Sequence, residues 1–185
     1  MRVLACRHTG ELMSDRKVKK LITAAIVGAL YAALTMLLAP ISYGPVQIRV
    51  SEVLCIMPFF LPYTSWGLFI GCAIANLLSA AGILDVVFGS LATLIACLCM
   101  AFLGKKDKAA LKHKLLGCIS VSLVNGIIVG ITLTVGIAGL DPTENVGAFL
   151  IYAGQVTAGE LAVMLILGLP LMSYLPRQKF FSQLD

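Results

Sequence analysis

Four ionisable side chains stand within or against the long apolar stretches of this 185-residue chain: Arg49, Glu52, Asp85 and Glu160. A charge held in hydrocarbon costs roughly 2.5–3.5 kcal/mol on insertion scales, so each needs a partner or a water-filled cavity. Four uncharged polar residues, Gln47, Asn76, Asn125 and Gln155, fall in the same regions. Carboxylate and amide acceptors with a single guanidinium suit the binding of a small, polar, hydrogen-bonding molecule. They do not assemble a reaction centre. No G-x-x-x-x-G-K-[ST] phosphate loop occurs, which removes ATP hydrolysis by that route, and no H-E-x-x-H metal motif occurs. His8 and His113 both lie outside the apolar stretches, and no nucleophile stands beside a base, so an enzyme and a metal site are not expected.

The elements that must position these residues follow from composition. The chain is 59% hydrophobic and 12% charged, with mean hydropathy +0.98, whereas soluble domains average about 25% charged. An all-α integral membrane protein of one domain is expected. The apolar runs predict six transmembrane helices at residues 21–39, 51–62, 64–82, 84–103, 115–139 and 146–175. A helix needs about 20 apolar residues to cross the hydrocarbon core. The second run is short and ends in Pro58-Phe59-Phe60-Leu61-Pro62, which predicts a distorted segment. The last is long and holds Gly154, Gly159, Gly168 and Pro170, which predicts a tilt or a break. A membrane domain over 21–175 then leaves tails at 1–20 and 176–185. The first apolar run begins at Leu21 and is followed by others, so a cleavable signal peptide is not expected; residues 1–12 read as an artefact of start-site choice, since Met13 precedes a more ordinary basic leader.

Charge sets the orientation. Arg16, Lys17, Lys19 and Lys20 precede the first run, Lys105, Lys106, Lys108, Lys112 and Lys114 separate the fourth from the fifth, and Arg177 and Lys179 follow the last. Arg49 alone lies in an opposite-side loop. The positive-inside rule places both termini in the cytoplasm, so the pI near 9.0 reports topology rather than nucleic-acid binding. Of the six cysteines, Cys55, Cys72, Cys97, Cys99 and Cys118 fall in apolar runs and Cys6 in the tail; without a C-x-x-C pair they read as reduced packing residues.

With orientation assigned, a rise of about 1.5 Å per residue converts position into depth. Gln47, Arg49 and Glu52 fall at the outer mouth of the second run and Asp85 at the outer start of the fourth. Asn76 lies roughly 18 Å up the third, Asn125 at mid-depth in the fifth with Thr132 above it, and Gln155 and Glu160 between the outer half and the midplane. Polar groups from five runs therefore converge on one outward-opening cavity. Its carboxylates suit a cationic amine or the N–H edge of a guanine-like ring. Each residue also has a structural role open to it. Asp85 can N-cap its helix, Glu52 can favour a helix dipole while pairing with Arg49, and Arg49 can anchor to lipid headgroups. Asn76, Asn125 and Gln155 can bond helix to helix. Trp66 reads as an interface anchor.

Small residues form stripes. Ala24, Gly28 and Ala32 make one row on the first helix, Ala25, Ala29 and Ala33 a second, and Gly67, Gly71, Ala75 and Ser79 a row on the third. Such strips admit close helix approach. Packing inside the chain accounts for one row; two adjacent rows predict a docking face for another membrane protein.

Three segments carry a family resemblance. Arg49-Val50-Ser51-Glu52-Val53-Leu54 with Pro58, Gly67-Leu68-Phe69-Ile70-Gly71 through Ala75-Asn76-Leu77, and Leu84-Asp85-Val86-Val87-Phe88-Gly89-Ser90-Leu91-Ala92-Thr93 are similar to the R-x-S-E-x-L, G-L-x-x-G-x-x-x-A-N and L-D-x-x-F-G-[ST]-L-A-T segments of queuosine-precursor transporters (QueT). Gly159-Glu160 and Leu167-Gly168-Leu169-Pro170-Leu171 match their last helix. Val53 departs from an expected Ala, and residues 1–12 are additional. The resemblance spans about 45–171. It implies the substrate-binding S component of an energy-coupling factor (ECF) transporter in a bacterial cytoplasmic membrane, a six-helix bundle with no cofactor of its own. ATP would be used by two cytoplasmic ATPases that act with an EcfT-like transmembrane coupling subunit. Ala25, Ala29 and Ala33 would supply the family's A-x-x-x-A coupling motif, and the substrate would be a 7-deazaguanine base. Other expectations stand beside it: an S component for riboflavin or another vitamin, a stand-alone proton-coupled carrier titrating at Glu160, and a non-transport scaffold in which the polar residues only join helices. No internal repeat of the kind common in secondary transporters is visible.

Overall fold

A computed structural model describes residues 2–43 and 48–178, with side chains from residue 15 onward. Every regular element among them is helical, as a chain without water to satisfy its backbone requires. Helix α1 (Arg2–Leu37) leads into the short α2 (Ala39–Ser42), whose first turn holds Pro40, where the missing N–H is harmless. The stretch ahead of Leu21, expected to be a cytoplasmic tail, is helical from Arg2 and continuous with the first apolar run.

The second apolar run is not one α-helix. A 3-10 turn over Val50–Ile56 passes into α3 (Met57–Phe60), with Pro58 in its first turn, where the missing N–H is harmless. Helix α4 (Thr64–Asn76) is 13 residues long and ends well before residue 82. Gly82 then takes φ 61°, a left-handed turn that favours glycine. A π-helical turn over Asp85–Gly89 opens α5 (Ser90–Lys106), and α6 (Leu111–Gly136) follows. The last run is α7 (Val146–Val163), a π turn over Met164–Gly168, and α8 (Leu169–Tyr174). The expected break is this π turn. Pro170 cannot donate to the carbonyl four residues back and its ring crowds that group, so the ladder widens just before it.

Four helical stretches among the described residues are long and apolar enough to cross a membrane: Asp15–Leu37, Asp85–Lys106, Leu111–Gly136 and Val146–Arg177. The two other expected runs are shorter. Val50–Phe60 is apolar but brief, and α4 reaches only about 20 Å at 1.5 Å per residue.

α4 packs along α1 with backbone against backbone. A Cβ at Gly67 would strike the Ala24 carbonyl, one at Gly28 the Gly67 carbonyl, and one at Gly71 the Gly28 carbonyl. The core beneath is apolar and sulfur-rich, with Ile56, Phe59, Leu68, Cys97, Met100, Met164 and Met172 fully buried. Outward lie Leu21, Ile26, Ile70, Phe102, Leu150 and Ile166, all exposed, the pattern of a lipid-facing surface. Trp66 is exposed as well.

Two connecting turns are tied by aspartates. Asp107 accepts the N–H groups of Ala109 (2.8 Å) and Ala110 (3.3 Å) between α5 and α6. Ala109 does most to hold its carboxyl below the ordinary aspartate range. Between α6 and α7, Asp141 accepts the Thr143 hydroxyl at 2.6 Å and its N–H at 2.8 Å, and these bonds lower that carboxyl too.

Candidate functional site

The Val50–Ile56 turn is the hub. It touches α1, α3, α4, α5, α6 and α7 and the π turn at Met164–Gly168, so its side chains reach most of the bundle. Arg49 begins it and Glu52 projects from its first turn. Exposure is 3% at Arg49, 1% at Glu52, 0% at Asp85 and 2% at Glu160. All four ionisable residues singled out from sequence are therefore interior.

Their partners differ from three of the structural roles open to them in the sequence. Arg49 pairs with Asp85, Nη2 to Oδ2 3.0 Å, and not with Glu52 three residues on. It is no headgroup anchor either, because it is buried and its guanidinium lies 5.6 Å from the Tyr43 ring centre. The Tyr43 hydroxyl donates to the Ala75 carbonyl at 2.5 Å, which fixes the ring. Asp85 caps no helix: it lies inside a π turn, and its carboxylate serves the ion pair. Asn76, at the end of α4, donates from Nδ2 to the Asp85 carbonyl at 2.8 Å. Gly89 makes this possible, since a Cβ there would press on both Asp85 Oδ1 and Asn76 Nδ2.

Glu52 is held by neutral donors. The Tyr31 hydroxyl donates to Oε1, and the Cys55 thiol donates to Oε2 at 3.0 Å. One turn along α1, the Thr35 and Ser51 hydroxyls are hydrogen-bonded at 2.6 Å. Cys72 lies between the groups, its sulfur 3.5 Å from the Tyr31 hydroxyl, 3.4 Å from Asn76 Nδ2 and 3.2 Å from the Thr93 hydroxyl. None of Tyr31, Thr35, Cys72 or Thr93 follows from charge. Tyr31 carried a usable signal: a phenol in mid-helix needs a partner for its hydroxyl, and Tyr31 is three residues past Gly28 on the face that meets α4.

A second knot joins α6 to α7. Asn125 donates from Nδ2 to Glu160 Oε2 at 3.0 Å. The Val50–Ile56 turn that carries Glu52 touches both α6 and α7, so the two knots share one interior. Gln155 is half-buried on α7, and Thr132, higher on α6, donates to the Ile128 carbonyl. Gln47 lies outside the described residues.

Several buried polar atoms of these knots have no protein partner: Arg49 Nε, Asp85 Oδ1, Asn76 Oδ1 and Asn125 Oδ1. A buried unpaired polar atom is costly, so a cluster of them is a place where a bound molecule would complete the bonding. The arrangement can accept several N–H donors and can carry charge. Among the described residues no group of three or more His, Cys, Asp and Glu side chains is placed to hold a metal.

The small-residue rows divide. Ala24, Gly28 and Ala32 are buried, with Ala24 and Gly28 directly against α4, so this row closes the contact between the two helices. Ala25, Ala29 and Ala33 face outward. Ala25 and Ala29 line a shallow groove of about 270 Å³ shared with Trp66, Ile70 and Ile74 of α4.

Comparison with known proteins gives one consistent answer. The family model described as QueT transporter matches residues 21–177. A protein of Lactococcus lactis subsp. cremoris (strain MG1363), named queuosine precursor transporter QueT, is 46% identical over 85 residues, which are 45% of this chain and 50% of the relative. The match thus spans about half the length of that curated relative. No solved structure matches the chain.

Proposed function

The chain belongs to the QueT transporter family, and on that premise we propose that it imports a 7-deazaguanine precursor of queuosine as the substrate-binding subunit of an ECF-type transporter in a bacterial cytoplasmic membrane. The short segments Val50–Phe60 and Thr64–Asn76 complete a six-helix bundle in this reading, and the lysine- and arginine-rich segments hold both termini in the cytoplasm. The observation that supports the binding role is the buried pair of knots with unpartnered acceptors at Asn76, Asp85 and Asn125. Glu160 and its Asn125 partner receive the ring N–H and amino hydrogens. Asn76 and Asp85 bound the site on the opposite side, and Gln47 and Gln155 complete it from the outer loop and α7. An EcfT-like coupling subunit grips the exposed row Ala25, Ala29 and Ala33, and two ATPases bound to that subunit drive reorientation.

Two measurements test this. Titration calorimetry of the purified chain in nanodiscs against deazaguanines, guanine and riboflavin should give submicromolar binding of a deazaguanine and weak binding of the other two. Glu160→Gln should weaken that binding at least about tenfold, or 1.4 kcal/mol; unchanged affinity removes Glu160 from the site. Ala29→Leu should keep binding and abolish uptake in cells that supply the ATPase module. Normal uptake refutes the docking assignment, and uptake without that module refutes the ECF reading.

A further inference from the structure

Away from the two knots, α5 and α6 frame a second kind of surface. Ile95, Leu98, Cys99, Phe102 and Leu103 of α5, with Ser120 of α6, line an open apolar groove of about 480 Å³. Ile95, Leu98 and Phe102 are exposed along it, so the groove faces outward from the bundle. At one end of it the chain turns from α5 into α6 through residues 105–114, which hold five lysines and a single acid, Asp107. That acid is committed to backbone, since it accepts the N–H groups of Ala109 and Ala110. Lys108 donates to the Phe60 carbonyl at 3.5 Å, and Lys114 is only 8% exposed. Lys105, Lys106 and Lys112 are exposed. Among the described residues the ion pair is that of Arg49 with Asp85, so no carboxylate pairs with these three lysines. Lys106 stands one turn past Phe102, its ammonium 4.9 Å from the ring centre. A lysine stem laid on an apolar wall with its head at the edge puts a cation at the mouth of the groove.

The opposite ends of the same elements supply a contrast. Leu84, Phe88, Ile128, Ile131, Thr132 and Val135 line another apolar groove, of about 370 Å³, but residues 77–104 and 115–145 contain no lysine or arginine. Both grooves suit hydrocarbon, and only the first has cations at its rim. We infer that the groove at the lysine end seats an acyl chain of an anionic phospholipid from the surrounding bilayer, with its phosphate headgroup held by Lys105, Lys106 and Lys112. A basic rim beside an apolar slot matches a molecule with an acidic head and a hydrocarbon tail, and lysines near a membrane surface attract such lipids. A zwitterionic lipid fits the slot equally well but brings no net charge to the rim. The inference is independent of which small molecule the chain carries.

The test is native mass spectrometry of the intact, delipidated chain titrated with phosphatidylglycerol or phosphatidylcholine of identical acyl chains. The expected result is one phosphatidylglycerol retained at least about tenfold more tightly than phosphatidylcholine; equal retention overturns the inference. Two variants carry the same loss of charge at different places. In Lys105→Gln/Lys106→Gln/Lys112→Gln the ratio of the two affinities should fall toward one, and in Arg16→Gln/Lys17→Gln/Lys19→Gln it should stay at its original value. A ratio that is unchanged in the first, or falls equally in both, overturns the inference in favour of diffuse attraction by the whole basic surface. Ser120→Phe fills the groove without touching a lysine and should also weaken phosphatidylglycerol retention; unchanged retention shows that no acyl chain lies there and overturns the seat. The ratio is internal to each protein, so partial loss of folded material does not alter it. Where the triple lysine variant fails to insert, the unaltered chain and Ser120→Phe decide the question between them.

Discussion

At the scale of single residues, the strongest constraint is the Arg49–Asp85 pair. Removing one partner strands a buried charge, a loss of about 3–5 kcal/mol. Asp85→Asn should therefore lower the thermal midpoint in detergent sharply, and the double variant Arg49→Gln/Asp85→Asn should recover part of it. Tyr31→Phe deletes one donor to Glu52 and should cost about 1–3 kcal/mol, seen in the same unfolding assay. The sequence exposes the carboxylates plainly, because charge in hydrocarbon is rare and expensive. Depth arithmetic places Asn125 and Glu160 at similar levels, and they are bonded to each other. Partner choice is less legible. Glu52 lies three residues from Arg49 and Asp85 thirty-six, yet the distant one is the partner, since the 3-10 turn aims Glu52 toward α1. Uncharged members such as Tyr31 and Thr93 escape a search that begins from charge.

At the scale of elements, glycines separate into those that seat helices and those that do not. A Cβ at Gly67 meets α1 backbone, which cannot yield as a side-chain tip can. Gly67→Ala should cost about 1–3 kcal/mol through overpacking. Gly154, in mid-α7 with nothing within 4 Å of an added Cβ, should accept Ala with no loss, or with a gain of up to about 1 kcal/mol from helix propensity. Thermal unfolding of the two variants side by side checks the contrast. Apolar run lengths locate four helices long enough to span, and the prolines mark the distorted segment and the break. Hydropathy does not register that α4 stops at Asn76, because residues 77–84 are mostly apolar although their backbone turns. It is equally blind to which of two adjacent small-residue rows packs against α4, since both rows have the same composition.

For the whole molecule, titration separates interior from surface. Asp107 and Asp141 are surface aspartates whose carboxyls are lowered in the folded chain by their turn hydrogen bonds. A depressed folded pKa gives stabilisation that is complete above the unfolded value of about 3.9 and is lost as pH falls through the folded one. Both turns should thus be indifferent to pH from 5 to 8 and loosen only in stronger acid. Carboxyl carbon NMR should find both midpoints below the ordinary aspartate value; a midpoint at or above it contradicts the turn geometry. The all-helical, membrane-fitting character of the chain is legible in its apolar composition and runs, while the shared interior of the two knots required the short hub turn, whose reach no hydropathy plot conveys. That hub is also riveted to α1 at two levels, through Tyr31 with Glu52 and Thr35 with Ser51. α1 is therefore built as a handle: its outer side carries Ala25, Ala29 and Ala33, and its inner side holds the buried Glu52 carboxylate without an intervening flexible link. A push or twist applied to the exposed row would arrive at Glu52 as a displacement, much as turning a key moves the bolt.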